Sequence, residues 1–166
     1  MDFWQVGSIH GDEYYTLKED AEIIADNLIK VPLKVWCPFN DTNSVWRGVL
    51  EERGFDVVTT EGDFFETEIP EGVQAIISNP PFTLKKAVME RIKGLNLRFV
   101  LILPFQWLND GVPLEYGDQL MFFRQRMNFN TPQGIKNKPR ANCFVLSDGL
   151  LKSNLIFVDK KKIMGG

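Results

Sequence analysis

Apolar and polar positions repeat with two different periods along this chain, and each change of period marks a new element. Ala21, Ile24, Ala25 and Leu28 recur at helical spacing. They follow Thr16-Leu17-Lys18-Glu19, a capping-box spacing in which hydroxyl and carboxylate satisfy the first free amides of a helix, and Pro32 closes the segment. Lys34 to Phe39 (KVWCPF) predicts a short apolar strand, Asn40 to Ser44 are turn and cap residues, and Val45, Val49 and Leu50 share one helix face up to Gly54. Phe55 to Thr60 (FDVVTT) is β-branched and Val73 to Ser78 (VQAIIS) is another apolar run. Thr83 to Ile92 is helical in period, and Leu97 to Leu103 predicts a further buried strand. Strands alternating with helices predict an α/β fold with a doubly wound, mostly parallel sheet, helices on both faces and ligands at the strands' carboxyl ends.

After Pro104 the pattern loosens. Pro104 to Asp118 holds Pro, Gly, Asn and Asp, and the strand-like runs Met121 to Phe129 and Ala141 to Ser147 then predict an antiparallel pair at one edge. Their connection, Asn130 to Arg140 (NTPQGIKNKPR), reads as a long exposed loop, and Lys160 to Gly166 as a frayed basic tail. With 166 residues, 44% hydrophobic and 25% charged, and with no repeat or low-complexity tract, a single domain over 1–166 is expected. No apolar run approaches the roughly 18 to 20 residues that cross a bilayer. Met1 to Ile9 lacks the basic-then-apolar order of a secretion signal, so a cytoplasmic protein with no membrane partner is expected.

Nineteen basic against 22 acidic residues give a net charge of -3, which neither demands nor forbids a nucleic-acid partner. Cys37 and Cys143 each sit in an apolar stretch without His or Cys at ligand spacing, which predicts buried free thiols and no metal site. His10, the only histidine, is far in sequence from any nucleophile-like Ser or Cys, so a catalytic triad has little support. Trp4, Trp36, Trp46 and Trp107 are expected in or near the core, Trp107 being the one best placed to meet a ligand.

The sharpest local feature is Asn79-Pro80-Pro81-Phe82, directly after one predicted strand and before a helix. Asn79 offers a side-chain carbonyl, Pro80 a backbone carbonyl and Phe82 an aromatic face, a set that suits a planar exocyclic amine. Two acceptors take the amine hydrogens, the ring stacks, and the nitrogen lone pair is left to attack. The plainer alternative is a strand-ending turn in which Asn caps the helix and Phe plugs the core. Glu61 lies 20 residues beyond Asp41, where nucleotide-binding sheets often place a carboxylate for ribose hydroxyls, and a solvated turn is the competing reading.

Through that loop the chain resembles class I S-adenosylmethionine-dependent amino-methyltransferases, above all the small adenine-N6 methyltransferases of bacteriophages and mobile elements. The family's Asn/Asp-Pro-Pro-Tyr/Phe catalytic motif is matched position for position by Asn79, Pro80, Pro81 and Phe82. The similarity runs from about Asp12 to Val158. Asp12-Glu13-Tyr14-Tyr15-Thr16 resembles the tyrosine-threonine cofactor motif, with Tyr15 and Thr16 as the implied contacts. Val35 to Phe39 resembles the first strand and the start of the next motif, implying cofactor contacts at Pro38, Phe39, Asn40 and Asp41. The family's Phe-x-Gly-x-Gly here reads Phe39-Asn40-Asp41-Thr42-Asn43, without either glycine. Gly62-Asp63-Phe64-Phe65-Glu66 resembles the following motif, in which Asp63 would accept the cofactor's adenine amine and Phe64 pack on its ring. The resemblance implies the Rossmann-like class I methyltransferase fold, S-adenosylmethionine as cofactor, and transfer to the exocyclic amine of adenine in DNA.

Between Gln119 and Ser147 there is no Asp or Glu, whereas Arg124, Arg126, Lys136, Lys138 and Arg140 fall there among Phe122, Phe123 and Phe129. Such an edge fits phosphates and a flipped base, and equally an edge hairpin that wards off pairing by its charge. About 40 residues separate the cofactor and catalytic motifs and about 80 follow, so no separate target-recognition domain fits; specificity would be weak or supplied by a partner or homodimer. The alternatives are methylation of RNA adenine or protein glutamine, or a catalytically inactive nucleic-acid-binding decoy whose glycine-less loop has lost the cofactor.

Overall fold

The computed structural model describes residues 15–39, 44–110, 112–130 and 140–163. Its strands, in chain order, are β1 (Tyr15–Thr16), β2 (Lys34–Cys37), β3 (Asp56–Thr59), β4 (Ala75–Ser78), β5 (Arg98–Pro104), β6 (Gln119–Phe123), β7 (Met127–Asn130), β8 (Arg140–Ala141), β9 (Cys143–Ser147) and β10 (Leu155–Val158). Its helices are α1 (Lys18–Asp26), α2 (Trp46–Glu51), α3 (Lys85–Leu95) and α4 (Lys160–Ile163). Seven strands form one sheet in the order β10-β6-β9-β5-β4-β2-β3, parallel throughout except for β9, which opposes both its neighbours. The mixed, mostly parallel α/β sheet is compatible with a Rossmann-like fold.

Helices α1 and α2 cover one face of this sheet, packing Ile24, Val49 and Leu50 against Val35, Ile77 and Val145. Helix α3 covers the other, with Val88, Met89 and Ile92 against Ile76, Leu101 and Phe144. Each such fully buried side chain stabilises the fold by about 1.5–3 kcal/mol relative to exposure. Arg53 Nε donates to Asp26 Oδ1 at 2.8 Å and joins the carboxyl ends of α1 and α2. The two helices therefore run side by side, both starting at the carboxyl end of the parallel strands. Left-handed residues stop the helices where the chain must turn back: Gly54 (φ 88) after α2 and Asn96 (φ 55) after α3.

Several expectations need correction. The antiparallel pair exists as β6 and β9, but not at an edge, because β9 is inserted between β5 and β6. All five β9 residues are buried, the signature of a strand covered on both faces. The edge belongs to β10, whose four residues were not anticipated as a strand. The run Met121 to Phe129 breaks at Arg124-Gln125-Arg126, where consecutive polar residues end the alternation; β7 then leaves for a small antiparallel sheet with β1 and β8. Thr16 does not cap α1: it lies in β1 opposite Phe129, and Leu17 occupies the cap without a side-chain bond. Helix α1 ends well before Pro32, at Asn27, whose Nδ2 donates to the Ile23 carbonyl at 2.7 Å. Lys160 is not part of a frayed tail, since Lys160–Ile163 is helical and Lys160 Nζ donates to the buried Asp20 Oδ1 at 3.0 Å.

Cys37 and Cys143 are buried and free, as expected, and burial pushes both thiols up to about 12, which leaves them unreactive. Trp36, Trp46 and Trp107 are all buried, Trp107 included. Trp4 and His10 lie outside the described residues. Among the described residues no helix is long and apolar enough to cross a membrane, and no cluster of potential metal ligands occurs.

Candidate active site

From β2 the chain passes through α2 to β3 on one side, and it then returns to form β4 on the other side of β2. The connections leaving β2 and β4 therefore diverge, and a crevice opens between their carboxyl ends. Trp36 faces Ile76 and Cys37 faces Thr59. Phe39, Asn79 and Glu61 thus follow closely on the carboxyl ends of three neighbouring strands.

The Asn79 loop is fixed by local chemistry. Ser78 is the last residue of a wholly buried strand, and Pro80 and Pro81 are buried in turn. Pro81 adopts φ -61 and ψ 128, an extended conformation that delays the following helix, and its carbonyl accepts Leu84 N–H at 3.0 Å. Phe82 opens a 3-10 turn, half-buried, against the core beneath α1 and α2. Asn79 is half-buried with its side-chain oxygen inside. Lys85, the first residue of α3, holds the turn from above: its Nζ donates to the Phe82 carbonyl at 3.2 Å and lies 5.7 Å from the centre of the Trp107 ring. A rigid strand end thus brings the Asn79 amide, the Pro80 carbonyl and the half-buried Phe82 ring together where β4 ends.

The chain matches no protein-family model and no curated protein.

The remaining candidate positions divide. Pro38 and Phe39 are buried on the β2 side of the crevice, and the Phe39 ring centre is 4.9 Å from that of Phe64. Asp63 is half-buried; its Oδ1 accepts Phe65 N–H at 2.9 Å and its backbone carbonyl accepts from Thr67 N–H and Oγ1. Phe64 is 1% exposed, enclosed by Trp36, Phe39, Phe65 and the Arg91 guanidinium, which stands 4.8 Å from the ring centre. It backs the site rather than facing it. Glu61 is exposed beyond Thr60, whose Oγ1 accepts the Trp36 indole N–H at 2.9 Å and pins β3 to β2. Thr16 is buried at the start of α1, and its hydroxyl has no hydrogen-bond partner among the described residues. Tyr15 is in β1, while Asn40 and Asp41 lie outside the described residues.

Sequence reasoning passed over two charges, half-buried Arg91 and buried Asp20. Arg91 Nη2 donates to the Thr67 carbonyl at 2.7 Å, locking the Asp63 turn; burial lowers its pKa, against the pull of Asp63. Asp20 is 1% exposed, and burial raises its carboxyl above the usual range in spite of the Lys160 ammonium beside it. Helical period places Asp20 beside Ala21 and Ile24, so its burial was readable; its partner across the whole chain was not.

Of the basic stretch, Arg124 and Arg126 are exposed just past the carboxyl end of β6. Arg140 pairs through its backbone with Asn128 in the small sheet, and Lys136 and Lys138 lie outside the described residues. A cleft of about 680 Å³ at the opposite, amino end of the strands is lined by Ala25, Ile29, Pro32, Arg53 and Phe55. It holds none of the groups that converge around Asn79.

Proposed function

We propose that the chain is an S-adenosylmethionine-dependent N-methyltransferase that acts on the exocyclic amine of adenine in DNA. One observation carries this: Asn79-Pro80-Pro81-Phe82 ends β4 at the crevice where β4 and β2 diverge, the place where an open α/β sheet accepts its ligand. Thr16, Pro38, Phe39, Glu61 and Asp63 would hold the cofactor on the β2 and β3 side. Their chemistry fits: a buried hydroxyl without a partner among the described residues for a polar end, an apolar wall at Pro38-Phe39, and carboxylates for hydroxyl and amine donors. When bound, S-adenosylmethionine supplies an electrophilic methyl group on a sulfonium.

What the chain does is position. Asn79 and the Pro80 carbonyl accept the two amine hydrogens of adenine, and Phe82 supports the base, so the nitrogen lone pair is held in one direction. Such alignment contributes far more than a general base here, and the proton leaves the nitrogen after transfer. The rigid prolines matter because an acceptor misplaced by about 1 Å costs roughly a hundredfold in rate. From a duplex the adenine must first leave the stack, at a few kcal/mol.

The test is transfer of labelled methyl from S-adenosylmethionine to separate pools of duplex DNA, single-stranded DNA, RNA and protein, with Asn79→Ala in parallel. Label in DNA adenine that disappears in the variant is the expected result. Label in RNA or protein reassigns the substrate. No label in any pool, together with no calorimetric binding of the cofactor by folded protein, rejects the enzyme in favour of an inactive nucleic-acid-binding scaffold.

A further inference from the structure

Beyond β5 the face of the sheet that α3 covers elsewhere carries a row of aromatic rings in register. Leu103 pairs with Phe144, Phe144 with Phe122 and Phe122 with Phe157 across β5, β9, β6 and β10. Ser78 faces Leu101 in β5, so the row stands at the level of the loop that begins with Asn79. Phe144 is fully buried, with Phe105 edge-on to it at 6.4 Å. From there outward the rings reach the surface. Phe105 lies 5.8 Å from Phe122 and is 43% exposed; Phe122 stacks with Phe157 at 5.6 Å and 23°, and Phe157 is 59% exposed. The Arg124 guanidinium sits 5.9 Å from the Phe157 ring centre and is exposed at the outer end of the row.

Two large exposed rings, Phe105 and Phe157, with half-buried Phe122 between them, are a poor surface to leave in water, and packing does not explain Phe157. Its edge strand carries no charge or proline over Leu155–Val158. Exposed cations predominate there: Arg124, Arg126, Lys161 and Lys162. The nearby carboxylate, Asp159, is occupied, accepting Gln125 Nε2 at 2.8 Å and Lys161 N–H at 3.0 Å. Aromatic faces bordered by guanidinium and ammonium groups match an unpaired polynucleotide, whose bases stack while its phosphates meet the cations. From β4 to β10 is four strand spacings, roughly 19 Å.

We infer that Phe105, Phe122 and Phe157, with Arg124, form a stacking platform for the unpaired nucleotides that flank a target base held at Asn79. This rests on the proposed nucleic-acid methyltransferase activity for its direction, but not for its test. Stacking on bare rings is tolerant of sequence, so the platform needs no base-specific contacts.

The experiment is anisotropy titration of a labelled, mixed-sequence single-stranded DNA with the full chain, without cofactor, comparing wild type with Phe157→Ala, Phe157→Leu, Phe157→Tyr and Arg124→Gln. Alanine and leucine should each weaken binding about tenfold, tyrosine should restore it, and Arg124→Gln should reduce the salt slope by about one. Leucine binding as well as wild type, or no binding by wild type, overturns the platform. So does light scattering that finds a dimer which Phe157→Ala dissociates, because a second copy then covers the rings. Phe157-dependent binding without methyl transfer to any pool keeps the platform and discards the enzyme. Methyl transfer to adenine with Phe157-independent binding does the reverse.

Discussion

The turns that follow β3 and β4 flank β2 and are spelled alike, a polar residue and then phenylalanine within three positions, yet they end in different states. After β3, Asp63 spends a carboxylate oxygen on Phe65 N–H, and Phe64 disappears between Trp36, Phe39, Phe65 and Arg91. After β4, two prolines stiffen the backbone, and Asn79 and Phe82 stay half-buried at the crevice. The first turn is built from within, the second is held from behind by Lys85 and Trp107. What separates the closed turn from the more open one here is the covering of the ring.

Substitutions should pull the two turns apart on different scales. Phe64→Ala should lower the unfolding free energy by about 3–5 kcal/mol in urea titration, because it empties a closed aromatic cluster. A loss below about 1 kcal/mol combined with weakened cofactor binding would instead place Phe64 at the ligand and erase the contrast. Asn79→Ala should slow methyl transfer roughly a hundredfold or more, as expected for a lost positioning group. Its unfolding free energy should change by no more than about 1 kcal/mol, and its calorimetric affinity for S-adenosylmethionine should hold. Asp63→Ala removes the acceptor for Phe65 N–H and should cost about 1 kcal/mol, the size of a lost capping bond. Asp63→Asn keeps an acceptor oxygen there, so it should recover most of that stability; if it also weakens cofactor binding, Asp63 serves both the turn and the site.

Local pattern made β2 to β5 and their helices legible, since each buries its own apolar face at its own period. The Asn79 loop was placed correctly at a strand end because its neighbours on both sides were readable. Strand order is another matter. Nothing local distinguishes Cys143–Ser147 as an inserted central strand from an edge strand except its unbroken burial, and Leu155–Val158, no longer than β2 to β4, lacks a long helical period beside it to frame it as a strand. Phe64 and Phe82 look identical in sequence because full or partial burial is decided by Arg91 and Phe39 on one side and by the prolines on the other. The basic run signalled Arg124 and Phe122 but not Phe105 or Phe157, which join them only through sheet register.

The contacts of α1 also set a schedule for synthesis. Its first turn is held by Lys160, 140 positions later, and its end by Lys152 N–H on the Asn27 carbonyl at 2.9 Å and by the bridge from Leu28 to Leu151. A ribosome adding roughly 5–20 residues per second leaves α1 waiting on the order of ten seconds for these partners. During that interval α1 can already pack its apolar side on α2 and β2, while the edge of β5 that β9 later covers stays open. The contacts with Lys152, Leu151 and Lys160 therefore come last, fastening a helix whose apolar side already has partners to the final strand and helix of the fold.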